Sequence, residues 1–235
     1  MIRTKKFIFG KKWSCTLTRQ SIDNQNEWKE FWVKNTNVPS FYKYNITICD
    51  DPKFIWFRNA KVCTRTILES FTNLGLKLVA EQANGIYYPP EVYKDYYKFA
   101  FVRNPWDRLV SGWKNKIDVD KVYCKLNLDP FPHAQLRNFE QFVDYSCELD
   151  LNTCDKHFRL QSRLIDLNEV DFIGRFENFD DDFNQVLDTL KLFKTPIPHV
   201  NKSNRKPYHQ YYSEQTKLKV KKIYQRDIQL FGYNY

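Results

Sequence analysis

The sequence predicts an α/β fold, a single domain with a central, mostly parallel sheet flanked by helices. Three observations lead there. Two short apolar runs, residues 54–57 (Phe-Ile-Trp-Phe) and 97–102 (Tyr-Lys-Phe-Ala-Phe-Val), read as interior strands buried on both faces. Each is followed within a few residues by apolar positions at helical spacing. A chain of 235 residues is long enough for one such domain with a single sizeable core.

In chain order, residues 1–48 are polar with scattered aromatics and little periodicity, and read as an N-terminal extension packed on the core. The α/β body is placed at 49–235. After the first strand, residues 58–65 form a basic turn and 66–74 a helix with Ile67, Leu68, Phe71 and Leu74 inward, ended by Gly75. The apolar run 76–80 predicts a second strand with Glu81 at its carboxyl end. After the strand at 97–102, Asn104 is suited to cap a helix whose first residue is Pro105, where a missing N–H costs nothing. Asp107 then falls at the third helical position, at the positive end of the helix dipole. Trp106, Leu109, Val110, Trp113 and Ile117 share one face, which leaves Asp107, Arg108 and Ser111 on the polar side. Residues 118–169 are a long insertion with loops around Pro130 and Pro132 and a helix at 139–145. A strand near Gly174 precedes a helix whose first turn holds Asp180, Asp181 and Asp182, a helix-start feature and not a metal site. A last helix begins near Ser213, with Lys217, Lys219, Lys221 and Lys222 on a solvated face.

The segment F-V-R-N-P-W-D-R-L-V-S-G-W (101–113) places Arg103 at a strand's carboxyl end and Ser111 eight residues later. Open α/β sheets bind ligands at such ends, and a guanidinium fork beside helix-start amides favours an anion, with phosphate the natural choice. The competing reading is that Arg103 pairs with an acid and Ser111 is simply a small helix residue. Upstream, K-V-C-T-R-T (61–66) occupies the turn after the first strand and the start of its helix, a second place where amides point outward. No glycine falls between Gly10 and Gly75, so the G-x-x-x-x-G-K-[ST] loop is missing and ATP hydrolysis is a poor fit.

Taken together, K-V-C-T-R-T and R-N-P-W-D-R-L-V-S resemble the 5′-phosphosulfate and 3′-phosphate motifs of sulfotransferases that use 3′-phosphoadenosine 5′-phosphosulfate (PAPS). D-F-I-G-R-F-E-N (171–178), H-V-N-K-S (199–203) and the terminal D-I-Q-L-F-G-Y (227–233) are similar to the carbohydrate branch of that family. The resemblance runs in the same order over roughly residues 53–233. It implies a P-loop-like sulfotransferase fold and sulfuryl transfer from PAPS to a hydroxyl, on a glycan in the first place, with release of adenosine 3′,5′-bisphosphate (PAP). Lys61 would contact the oxygen bridging phosphate and sulfuryl group. Val62, Cys63, Thr64, Arg65 and Thr66 would hold the 5′-phosphate, Arg103 and Ser111 the 3′-phosphate. Lys202 and Arg205, with Asn204 and Lys206, would lie on a loop that closes over the nucleotide, and the insertion at 118–169 would carry acceptor recognition. No metal is required, because the chemistry is positioning and charge stabilisation.

The base that takes the acceptor's proton is often a histidine between the two motifs, and this interval holds none. Glu81 is the candidate there. His157, in a segment similar to the family's H-x-x-x-Q, and His133 are its rivals. A protein that binds the nucleotide without transferring sulfate is the alternative reading.

The formal charge of +9 biases the surface toward anions, yet the basic residues are dispersed and no nucleic-acid-binding signature is present, so nucleic acid is not an expected partner. Six cysteines allow fifteen complete pairings, of which Cys147 with Cys154 is the closest in sequence. In a luminal setting they could bridge, and Asn45 and Asn201 would be glycosylation candidates. The first twelve residues hold only a three-residue apolar run, so no signal or membrane span is read and a soluble cytoplasmic location is expected.

Overall fold

The computed structural model describes residues 40–117, 135–194, 196 and 205–235. Their contacts group into two compact units. The first holds residues 40–59, 63–101 and the described residues of 164–200; the second holds 60–62, 102–117, 135–163 and 205–235.

The first unit carries the five-stranded sheet, ordered β3-β1-β2-β4-β5. Its strands are β1 (Tyr44–Asp50), β2 (Lys53–Phe57), β3 (Leu78–Ile86), β4 (Tyr97–Val102) and β5 (Phe172–Arg175). β2 and β4 pair in parallel, whereas β1 pairs antiparallel with both β2 and β3. Strands β2, β3 and β4 therefore run in one direction and β1 opposes them. The α/β class holds, with one reversed strand added. β1 crosses the expected boundary at residue 48, so residues 44–48 are sheet and not extension. Its pattern is hidden because both faces are covered: Ile46 and Ile48 are buried, and so are Asn45 and Thr47, which alternate with them. Their polar atoms are satisfied by β3, where the Thr47 hydroxyl donates to the Glu81 carbonyl (2.5 Å) and Asn45 Oδ1 accepts from Gly85 N–H (2.9 Å). A buried, hydrogen-bonded Asn45 is not available as a glycan acceptor. Asn201 lies outside the described residues.

Helix α1 (Thr64–Asn73) starts two residues earlier than predicted, and Gly75 leaves it in the left-handed conformation, φ 70°. α4 (Phe179–Thr189) follows β5 and begins with the expected acidic turn, in which Asp182 accepts from Arg175 N–H and Asn178 Nδ2. The core is aromatic. Trp56 stacks on Phe99 with centroids 6.2 Å apart, Phe71 of α1 meets Phe54 and Trp56, and Phe101 meets Phe179 and Phe183. Gly174 is needed for closeness, since a Cβ there would lie 2.4 Å from the Phe101 ring.

The second unit is helical, with α2 (Pro105–Lys116), α3 (Phe139–Cys147), α5 (Glu214–Ile223) and α6 (Gln225–Phe231). Asn104 caps α2 by accepting from Trp106 N–H (3.1 Å), with Pro105 at the first position as the sequence predicts. Asn138 caps α3, and Ser213 and Thr216 form a reciprocal capping box on α5. Trp106, Leu109, Val110, Trp113 and Ile117 are buried together with Phe142, Val143, Phe158, Val220 and Tyr224. Cys147 and Cys154 are both thiols, so the pairing considered for them is not formed. Among the described residues no helix is long and apolar enough to cross a membrane.

Gly174→Ala should lower the free energy of unfolding by about 1–3 kcal/mol, because the Phe101 ring is locked by its aromatic neighbours and has nowhere to move. A urea titration of wild type and variant measures this directly.

Candidate functional site

The start of α2 gathers most of the charged side chains of interest, and they are buried. Arg103 is fixed first through its backbone: its N–H donates to Gln161 Oε1 and its carbonyl accepts from Gln161 Nε2, both at 2.9 Å. Its guanidinium donates from Nε and Nη2 to Asp107 Oδ2 (2.8 and 2.7 Å) and from Nη1 to the Lys61 carbonyl (3.0 Å). Arg205 reaches the other carboxylate oxygen, Oδ1 of the same Asp107. The acid pairing weighed against the anion-site reading is thus present, yet it brings Arg103 and Arg205 to one carboxylate, and Arg103 also holds the Lys61 backbone. Ser111, half-buried, stands one helical turn beyond Asp107 on the same face.

Arg108 is the main departure from the helical pattern. Expected on a polar face, it is only 2% exposed. Its Nε donates to the Ala60 carbonyl (3.1 Å), Nη1 to that of Arg159 (2.8 Å) and Nη2 to that of Lys156 (2.9 Å). Burial lowers its pKa, though a guanidinium starts so high that the charge persists. One side chain thereby holds both the residue preceding Lys61 and the turn that bears His157.

In that turn His157 Nδ1 lies 2.6 Å from Asp155 Oδ1. Burial lowers the His157 pKa against the opposing pull of Asp155, which favours the neutral ring at neutral pH. Burial would raise Asp155, but hydrogen bonds and the charge of His157 bring it below the usual carboxylate range. With the ring neutral, Nδ1–H donates to the carboxylate and Nε2 keeps its lone pair, the arrangement of an oriented base.

The segment K-V-C-T-R-T divides between the units, Lys61 and Val62 grouping with the second and residues 63–66 with the first. Lys61 has φ 70° and Cys63 φ 46°, the left-handed region that a side chain enters at about 1–2 kcal/mol. The loop makes its turns without glycine. Cys63 is the N-cap residue of α1 without a side-chain cap, and the amides of residues 64–66 form the first turn of the helix. The Thr64 hydroxyl donates to the Asn59 carbonyl (3.2 Å), and Asn59 Nδ2 to the Phe101 carbonyl (2.8 Å), which anchors the loop's start to β4. Arg65 is exposed, Thr66 buried.

A family model described as "Sulfotransferase family" matches residues 26–234. The chain belongs to the sulfotransferase family. It is 24% identical over 188 residues to mouse (Mus musculus) carbohydrate sulfotransferase 14, covering 71% of this chain and 49% of that protein. To Xenopus laevis carbohydrate sulfotransferase 10 it is 28% identical over 168 residues, 59% of this chain and 47% of that protein. To human carbohydrate sulfotransferase 8 it is 26% identical over 167 residues, covering 59% and 39%. The chain spans about half the length, or less, of these curated relatives. No solved structure matches it at a significant level.

In this family member the remaining sequence-derived candidates fall unevenly. Glu81 is not at a strand's carboxyl end: it is the fourth of nine residues of β3, one of the two edge strands, five residues and about 17 Å before the strand ends. Arg58, read as part of the basic turn, turns into the sheet and donates to the Ala83 carbonyl (2.9 Å) and Asn84 Oδ1 (3.0 Å). Lys202, Asn204 and His133 lie outside the described residues. Burial pushes the Cys49 and Cys154 thiols up to about 11, which removes them as nucleophiles at neutral pH. Periodicity put Asp107 and Arg108 on a polar face without revealing their buried partners, and it overlooked Asp155. The Asp two residues before His157 was the available signal for the last; nothing local marks an arginine whose acceptors are distant carbonyls.

Arg108→Met should destabilise the protein by at least about 3 kcal/mol, since three carbonyls lose their donor. Arg108→Lys should recover little, because a single ammonium cannot span all three. Urea midpoints of the two variants decide this.

Proposed function

We propose that this chain is a sulfotransferase that moves a sulfuryl group from PAPS to a hydroxyl of a carbohydrate and releases PAP. Family membership and the names of the relatives support the reaction class and the acceptor class. The observation that carries the nucleotide assignment is the Arg103 guanidinium, which donates to the Lys61 carbonyl while Asp107 holds it. The residues assigned to the two ends of PAPS are therefore joined by one side chain.

Lys61 supplies an ammonium to the bridging oxygen. As the S–O bond breaks, its electron pair moves onto that oxygen, and a fixed positive charge there lowers the transition state more than the ground state. Thr64, Thr66 and the helix-start amides receive the 5′-phosphate, with Val62 and Cys63 shaping the turn and Arg65 adding charge. Arg103, Ser111 and Arg205 receive the 3′-phosphate, and Lys202, three residues before Arg205 in the sequence, is assigned to the nucleotide with them. His157, oriented by Asp155, takes the proton as the acceptor oxygen bonds to sulfur. The oriented ring favours His157 over Glu81, whose place inside the edge strand points away from such a role. The segment 118–169 selects the acceptor. A protein that binds PAP without transfer is the second reading, separated by the turnover assays below.

Calorimetric titration should show PAP binding in the micromolar range and AMP, which lacks the 3′-phosphate, much more weakly. Equal affinities would remove the 3′-phosphate assignment. Lys61→Ala should reduce kcat by about a hundredfold or more in a PAPS-dependent assay on glycan acceptors, and near-normal turnover would take Lys61 out of the mechanism. For His157 the sign follows from its lowered pKa. The neutral base persists as pH falls to the ordinary histidine value of 6.5, so kcat/KM should decline only below it. His157→Gln should abolish that acid limb along with most of the turnover.

A further inference from the structure

Asp107 accepts from two arginines that are far apart in sequence. Oδ2 takes the Nε and Nη2 edge of Arg103 four residues earlier, and Oδ1 takes Nη2 of Arg205, 98 residues later. The three side chains are 8%, 13% and 12% exposed for Arg103, Asp107 and Arg205. Each arginine alone is a long side chain with about 2 kcal/mol of rotamer entropy to lose on meeting a ligand. A carboxylate bonded to both has already taken up much of that loss, and it fixes the spacing of the two forks. Two guanidinium groups and one carboxylate sum to +1, so the trio keeps a positive potential after internal pairing.

A phosphate monoester carries close to two negative charges and three acceptor oxygens, and arginine forks bind it in a bidentate manner. We propose that Asp107 is a positioning residue that clamps Arg103 and Arg205 into one two-guanidinium site for a terminal phosphate monoester, and so sets the selectivity for the 3′-phosphate. The assignment of that phosphate rests on the proposed function; the clamp itself rests on the three side chains. The carboxylate does not touch the reacting sulfur. It acts through the arginines, and it ties the backbone at Arg205 to the start of α2.

The test is calorimetric titration of wild type, Asp107→Asn and Arg205→Gln with PAP and AMP, beside hydrogen exchange of residues 205–212 in the unliganded protein. Asp107→Asn keeps the shape and removes the charge. It should weaken PAP binding by about 30-fold or more, the usual effect of truncating a buried charge pair, leave AMP binding within about threefold, and speed exchange at 205–212. Arg205→Gln should show the same selective loss of PAP affinity and keeps the test open if Asp107→Asn does not fold. An unchanged PAP-to-AMP ratio in either variant, or tighter PAP binding to Asp107→Asn, would overturn the proposal. If wild type itself fails to distinguish PAP from AMP, the 3′-phosphate reading falls, and unchanged exchange in Asp107→Asn would then overturn the clamp as well.

Discussion

Taking a charged side chain out of water is tolerated only when its hydrogen bonds are replaced, and the second unit is organised around doing this for Arg108. Its planar fork meets three carbonyls in three directions, from Ala60, Lys156 and Arg159. None of these acceptors is charged, so the stabilisation is geometric: the carbonyls must stand where the fork can reach them. That requirement fixes the backbone before Lys61 and the turn around His157 at once. Gly112 belongs to the same packing, since a Cβ on it would come within 2.8 Å of the Phe158 ring in that turn.

A second chain of contacts does for Arg103 what Arg108 does for the loop. Asp227 on α6 is fully buried and accepts from the Gln161 and Ser162 N–H groups (2.6 and 3.0 Å). Gln161, thus oriented, clasps the backbone of Arg103 on both sides. The glutamine of the H-x-x-x-Q segment therefore has a positional role, and through it the C-terminal helix supports the backbone of Arg103. The loop at residues 61–66 shows the opposite economy. Left-handed Lys61 and Cys63 are strained relative to glycine, and residues held this way collect where a binding geometry is worth the strain.

Much of the fold was readable in the sequence because it depends on local patterns. The strand at 97–102, the Asn104 cap with Pro105, the helix at 139–145 and the acidic start of α4 follow from residue type and spacing over a few positions, and all appear where expected. The reversed strand β1 did not, since Asn45 and Thr47 interrupt its apolar pattern and only the cross-strand partners Glu81 and Gly85 make their burial tolerable. Glu81 was misplaced for a related reason: the strand does not stop where its apolar run does but continues, through bulges against β1, to Ile86.

Residue order alone carries the α/β class and the family-like order of the two basic motifs, and it marks Lys61, Arg103, Ser111 and Arg205 as candidates for phosphate. These are matters of local spacing and residue chemistry. How the charges are shared is settled by packing: Asp107 takes Arg205 as well as Arg103, and Arg108 is buried against backbone carbonyls. Hydrogen bonds between residues 40 to 100 positions apart leave no periodic trace, because the partner of a buried polar group is chosen by the packing around it and not by its neighbours in the chain.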